Sequence, residues 1–345
     1  MNGLWMAVLL MRGVACAEQV VELGSFDAAP DLPAEDFDVW VQQLVCDTEG
    51  YVYAVVGSRA LRVDEGGPAR PRPSLLNKLG PTGDIVWSVR VESQLDYSAA
   101  APLQAVDMAW SPDGCVFVLA QDRVVRLDAG EGGYLGEWGQ RGMAPGQLQD
   151  PTSIGTTHSG VVYVCDQACG SRGAAPGTPI TLPLLCPGYS WDGSKHFGRV
   201  QAFTAAGKLV APPWWCSGSQ IAVGAADGSV YVLDAGKGWV AATGVGGTGL
   251  HTREVALPAV FRFDPWGHPL EVGHPAAALG KLALDPSDRL YLYSLTSTWL
   301  SASGSAAGPW SEVGDCLGAA DLAFDPDGNL LLAHGRSIVC LARPD

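Results

Sequence analysis

The chain has 345 residues, 47% of them hydrophobic and 17% charged, which excludes intrinsic disorder and leaves room for one large domain or two ordinary ones. Its formal net charge of −15 excludes a nucleic-acid backbone or an anionic membrane surface as partner, because the repulsion would go unopposed. The densest basic group, Arg62, Arg70 and Arg72, lies in a Pro-rich stretch beside Asp64 and Glu65. Leu4 to Met11 is an apolar run followed by Ala15-Cys16-Ala17, small residues that a signal peptidase accepts. The run is too short to span a bilayer. Arg12 follows the run instead of preceding it, and Gly13 stands where a lipoprotein box carries a Leu-like residue. Residues 1–17 are expected to be a signal peptide, giving a periplasmic or secreted protein with lipid anchoring at Cys16 as a variant; an apolar N-terminal strand in a cytoplasmic protein is the alternative.

From residue 18 onward the 44 Gly and 24 Pro punctuate many short strands without a short period, which favours an all-β fold. Three segments repeat one pattern: VDMAWSPDGCVFVLA from Val106, KLALDPSDRLYLYSL from Lys281 and DLAFDPDGNLLLAHG from Asp321. Each is an alternating apolar strand, a polar turn and a second apolar strand, which is a hairpin signature. Weaker copies start at Gln43, Ser153 and Gln220, making six. Their turn residues align at Gly50, Gly114, Gly160, Gly228, Asp288 and Gly328, and the closest two are 40 residues apart. Longer spacings locate insertions at Pro68–Ser74, Ala168–Phe197 and Gly244–Pro258.

Each hairpin is followed by another strand pair, as in LLNKLGPTGDIVWSVRV from Leu75. Four strands per unit and six units predict a single six-bladed β-propeller of four-stranded antiparallel blades over residues 18–345, with an insertion at about 168–197. The sixth unit runs out after its third strand, Ser337 to Arg343, and EQVVELGSF from Glu18 has the alternation to supply the fourth and close the ring.

The third unit carries a recognisable wording: Leu148, Pro151, Val164 and Asp166, then Arg199, Val200, Gln201, Phe203 and Gly207. This order resembles the NHL repeat, and the resemblance implies an NHL-like six-bladed propeller. It does not fix a function, because propellers host many unrelated ones. Asp166, Arg199 and Gly207 are expected to serve turns and strand pairing.

The residue before the first apolar pair of each hairpin is Gln43, Asp107, Ser153, Gln220, Lys281 or Asp321. In a propeller this position opens the innermost strand, so the six form a candidate polar ring around the central channel. Two chemistries compete there. In one the residues satisfy one another, with Lys281 and Asp321 as an ion pair; in the other Asp107 and Asp321 hold a divalent metal such as calcium, with Lys281 beside them, for a hydrolase or lyase in the channel. Enzyme families of similar architecture weaken the second. Peptide-amidating lyases hold zinc with several histidines, whereas His158, His196, His251, His268, His274 and His334 do not recur at matching blade positions. Gluconolactonase-like hydrolases use Glu, Asp and Asn around calcium, and Asn2, Asn77 and Asn329 all miss the ring. The histidine pair of streptogramin-lyase-like propellers has no evident counterpart.

The chain has twelve Trp. Trp40, Trp87, Trp110 and Trp138 suit burial between blades, whereas Trp191, Trp214, Trp215, Trp299 and Trp310 fall in loops or at strand ends and make a candidate binding surface for protein or glycan. Nine cysteines are many for a reducing compartment, and Cys169 with Cys186 would staple the long insertion as a disulfide. Buried free thiols at Cys46, Cys115, Cys165 and Cys340 are the plain alternative, and a zinc site lacks its paired Cys-x-x-Cys. The expected function is a non-catalytic binding or structural module in a multi-protein assembly, without cofactor.

Overall fold

The hairpin tips fix the architecture locally. At Gly50, Gly114, Gly160, Gly228, Asp288 and Gly328 the backbone turns left-handed, with φ between 59° and 85°, a region only glycine enters freely. The residues just before the tips cap them. Asp47 Oδ1 accepts from the amides of Glu49 and Tyr51, both at 2.9 Å, and Asp285 Oδ1 accepts from those of Ser287 and Arg289, also at 2.9 Å. Thr157 Oγ1 accepts from Val161 N at 2.9 Å, and Asp325 Oδ1 from Asn329 N at 2.7 Å. These are Asx- and Ser/Thr-type turns, which reverse the chain without outside help.

The structure is a computed structural model that describes residues 22–28, 37–60, 75–91, 105–169, 197–216, 218–234, 239–243, 250–254, 259–275, 280–294, 299–306, 311–315 and 319–342. Strand β1 (Glu22–Asp27) comes first. The first sheet holds β2 (Phe37–Cys46), β3 (Val52–Ala60), β4 (Leu75–Leu79) and β5 (Ile85–Arg90). The second holds β6 (Asp107–Ser111), β7 (Cys115–Leu119), β8 (Val124–Asp128) and β9 (Tyr134–Trp138). The third holds β10 (Pro151–Thr156), β11 (Val162–Cys169), β12 (Phe197–Phe203) and β13 (Trp214–Trp215).

In the fourth sheet, β14 (Gln220–Val223) and β15 (Val230–Asp234) are separated from their later partners by a hairpin, β16 (Trp239–Thr243) and β17 (Leu250–Glu254), that forms a two-stranded sheet of its own. The sheet then continues with β18 (Ala259–Phe263) and β19 (Pro269–Gly273). The fourth-unit insertion therefore begins before Gly244 and carries paired strands. The fifth sheet holds β20 (Gly280–Leu284), β21 (Leu290–Ser294), β22 (Trp299–Ser303) and β23 (Ser311–Asp315). The sixth holds β24 (Asp321–Phe324), β25 (Leu330–His334) and β26 (Ser337–Leu341), with β1 antiparallel to β26 as its outer strand. All pairings are antiparallel, and the described residues contain no helix.

The first strands of the sheets lie side by side in the order β2, β6, β10, β14, β20 and β24, and β24 in turn lies against β2. Between neighbouring sheets sits a layer of apolar side chains. Tyr53, Val55 and Leu76 of the first sheet meet Val116, Val118 and Val125 of the second. Phe117, Leu119 and Val124 of the second meet Val162, Val164 and Phe203 of the third. A middle strand such as β7 is thus buried on both faces, which is why it reads as a continuous apolar run, CVFVL, while the outer strand β5 alternates. Cys46, Cys115, Cys165, Cys216 and Cys340 are free thiols, and the described residues contain no disulfide. Burial pushes the Cys165 and Cys216 thiols well above their usual range. Residues 1–17, Cys186, Trp191, Trp310, the side chain of Cys169 and most of the insertion 168–197 lie outside the described residues.

Candidate functional site

The six polar positions all lie in the first strands of their sheets, but only Asp107, Gln220 and Asp321 open them, Gln43, Ser153 and Lys281 being set further in. They pair across to the second strand, Gln43 with Val55, Asp107 with Leu119, Ser153 with Cys165, Gln220 with Leu233, Lys281 with Tyr293 and Asp321 with Ala333. Most of their side chains reach sideways to the next sheet. Asp321 Oδ2 accepts from Leu44 N at 2.8 Å, and Gln43 Nε2 donates to Val106 O at 2.8 Å. Asp107 Oδ2 accepts from Ile154 N at 3.0 Å and from Ser153 Oγ at 2.5 Å, while Ser153 Oγ accepts in turn from Ile221 N at 3.1 Å. Lys281 Nζ donates to Gln43 Oε1 at 3.1 Å and stands 3.6 Å from Asp321 Oδ1. Gln220, half-buried, makes no side-chain hydrogen bond among the described residues.

Burial governs the charges in this ring. Loss of hydration pushes the Asp321 carboxyl up to about 6; Lys281 opposes the shift and the Asp107 charge adds to it. For Lys281, burial disfavours the ammonium, but Asp321 first and Asp107 second outweigh it and raise the pKa. Calcium asks for six or more oxygen ligands, on the order of three carboxylates' worth. Here one Asp107 oxygen is occupied by two protein donors and Asp321 faces an ammonium. No group of three or more His, Cys, Asp and Glu able to hold a metal occurs among the described residues. His158, His268, His274 and His334 are all exposed, and of these His334 adjoins Ala333, the cross-strand partner of Asp321, at the ring's end. The chemistry of this arrangement is strapping: Gln43, Asp107, Ser153 and Asp321 each satisfy a backbone group of the neighbouring sheet, and Lys281 ties Gln43 to Asp321.

The NHL-like residues of the third sheet do the strand pairing expected, Asp166 standing across from Arg199, and further work besides. Arg199 and Asp166 are fully buried and joined twice, Nε to Oδ1 at 2.7 Å and Nη2 to Oδ2 at 2.9 Å. The remaining guanidinium hydrogens go to Met143 O at 2.6 Å and Gln147 O at 2.8 Å, and Asp166 Oδ2 also accepts from Gln149 N. Gln201 closes the same node, accepting from Gly146 N at 2.9 Å and donating to Gln147 O at 2.7 Å. Besides pairing β11 with β12, the two residues therefore anchor the connection between β9 and β10. Burial raises the Asp166 carboxyl, although Arg199 opposes it. Gly207 does serve its turn, at φ 81°, and a Cβ there would overlap Trp138.

That contact recurs. Gly132, at φ 73°, lies 3.0 Å from Trp87 where a Cβ would stand, and a Cβ on Gly267, at φ 89°, would overlap Trp214. Each outer turn thus sits on a tryptophan in the outer strand of the preceding sheet. Trp214 is half-buried, with its ring 5.8 Å from Tyr163 and 6.1 Å from Phe263. Trp215 and Trp299 are placed by backbone alone, in β13 and β22. Among the described residues the most exposed tryptophan, at 68%, is Trp266 in an outer turn of the fourth sheet.

All the long connections leave from one end of the sheets. The strand-two to strand-three connections of the first, third and fourth sheets, which contain the three insertions, start at the end where the polar ring lies. The opposite end carries the short capped tips. No helix among the described residues is long and apolar enough to cross a membrane.

No protein-family description and no curated protein matches the sequence. Solved structures do. The chain aligns with the WD40 β-propeller domain of Doa1 at a TM-score of 0.51 and 8% identity, over 94% of this chain and 97% of that one. It aligns with streptogramin B lyase at a TM-score of 0.50 and 12% identity, over 95% and 99%. The fold is that of a β-propeller. One neighbour is a WD40 domain and the other a lyase, so the likeness carries architecture and not activity.

Proposed function

We propose that the chain is a six-bladed propeller, closed by β1 as the outer strand of the sixth blade, that acts as a non-catalytic binding module in a multi-protein assembly. Support for the count comes from six four-stranded sheets whose first strands follow one another from β2 to β24 and back to β2. Support for an NHL-type blade comes from Asp166, Arg199 and Gln201, whose spacing in the repeat matches one buried node. The observation that carries the functional reading is the division of labour within the ring: five of its six polar side chains already bind protein groups, and the long connections gather at the ring's end. Partner affinity resides in those connections, above all 168–197, with Trp191, Trp215, Trp299 and Trp310 as its aromatic contacts, and a protein surface is the expected ligand.

The test is capture from the native source by the full chain and by a variant in which residues 170–196 are replaced with a short Gly-Ser linker. Loss of a reproducible partner with unchanged thermal midpoint is expected; retained capture sinks the loop assignment. The mass of the native chain from the same preparation decides whether it begins at Cys16, as export with lipidation requires.

A further inference from the structure

The contacts between neighbouring sheets differ from seam to seam. Toward the axis, side-chain straps join sheets six to one, one to two, two to three and three to four, and Lys281 with Asp321 joins five to six. Between sheets four and five the corresponding side chain is Gln220, which has no hydrogen-bond partner among the described residues. Toward the rim, a turn glycine covers a tryptophan at the first three seams: Gly132 on Trp87, Gly207 on Trp138 and Gly267 on Trp214. At the seam of sheets four and five no such contact between a turn glycine and a tryptophan occurs among the described residues. Gly304, following β22 in the fifth sheet, has nothing within 4 Å of where a Cβ would be.

A different device holds this seam at the short-turn end. Asp288 is the single non-glycine among the six aligned tips and takes φ 59°, which strains an L side chain by about 1 kcal/mol. From there Oδ1 accepts from Ala225 N at 2.8 Å and Oδ2 from Ala226 N at 2.9 Å, so one carboxylate is clamped to two successive amides of the fourth sheet's tip. The apolar layer between these sheets is largely aliphatic, with Leu282, Leu290 and Leu292 against Leu233 and Val260.

We infer that the seam between the fourth and fifth sheets is the place where the ring opens, and that Asp288 is its latch. This rests on the closed six-bladed reading. Local opening there exposes the Leu282 layer and the Lys281 end of the ring while the other seams stay shut, because a side-chain strap joins the first strands at each of them and a covered tryptophan adds to it at three.

Hydrogen exchange of the whole protein, read by mass spectrometry peptide by peptide, tests it. Asp288→Gly keeps the left-handed turn and removes the carboxylate. Exchange in peptides covering 220–234 and 280–294 is expected to quicken about tenfold, the loss of a pair of charge-assisted hydrogen bonds, with peptides of the second and third sheets unchanged. An equal rise in every sheet, or no rise, overturns the latch. Should the variant fail to fold, the wild type decides: β14 and β20 must exchange faster than β6 and β10, and equal protection overturns the seam. Failure of the closed-ring reading looks different, since β1 and β26 would then lack protection in the wild type.

Discussion

The two ends of the sheets are ordered by different means. At the short-turn end, side chains two to four residues away satisfy the amides of five tips, as Asp47 does for Glu49 and Tyr51 and Asp325 for Asn329. At the long-connection end, the bonds that fix the backbone join residues 47 to 277 apart, from Asp107 to Ile154 up to Asp321 to Leu44. Local order tolerates the loss of one tip where no neighbour depends on it, the exception being Asp288, which holds two amides of the fourth sheet's tip. Distributed order places several connections under the control of a few buried groups, which is what lets long loops vary above a fixed base.

The largest consequence concerns Arg199. Replacing it with Met keeps the aliphatic bulk but leaves the Asp166 carboxylate buried without its guanidinium, strands the carbonyl of Met143 and leaves Gln147 O with Gln201 alone. A loss of about 4 kcal/mol is expected, because removing one partner of a buried pair costs more than the pair contributed. Denaturant unfolding measures it. The double variant Arg199→Met with Asp166→Leu should recover part of the loss; if the single variant unfolds at wild-type denaturant concentration, the node does not order the long-connection end.

The same contrast explains what could be read before any coordinates. The tips were legible because Asp, Thr and Gly at fixed offsets specify a turn from within a few residues, and all six aligned positions are left-handed. The polar positions of the ring were legible as a set, since they precede identical apolar pairs, but not as straps: which amide Asp321 takes depends on β24 lying beside β2. Asp166 and Arg199 pair across adjacent strands, at a spacing of 33 residues that the insertion conceals. Trp214 has the composition of a surface residue, following Pro212 and Pro213, and is covered only because Gly267 of the next sheet folds over it. A tryptophan in an outer strand followed one unit later by a turn glycine was the available signal, and it marks three seams.

A smaller effect separates the ends by pH. The Asp321 carboxyl stands at about 6 in the folded chain, above the roughly 3.9 of an unfolded aspartate, so the folded state holds the proton more tightly. Its ionised form therefore costs stability above pH 6, and that cost is relieved as pH falls from about 6 toward 4. Relative to Asp321→Asn, the wild type should gain stability over that interval, by at most about 3 kcal/mol. Parallel stability curves for the two proteins would show that the strap at the β24–β2 seam does not carry this titration.

The smallest expected effect is at a tip. Asp325 holds Asn329 twice, Oδ1 from the backbone amide at 2.7 Å and Oδ2 from Nδ2 at 2.8 Å, on a turn whose flanks are exposed. Asp325→Ala removes both bonds, yet water can reach the freed amide, so no buried group is orphaned. A loss of about 1 kcal/mol follows, roughly 2 °C in the thermal midpoint, and Asp325→Asn should restore most of it by keeping the Oδ1 acceptor. Measured beside Arg199→Met, this variant tests the comparison directly. If it were to cost as much, the tip would have to be coupled to distant groups, as the long-connection end is, and the independence of this tip would fail.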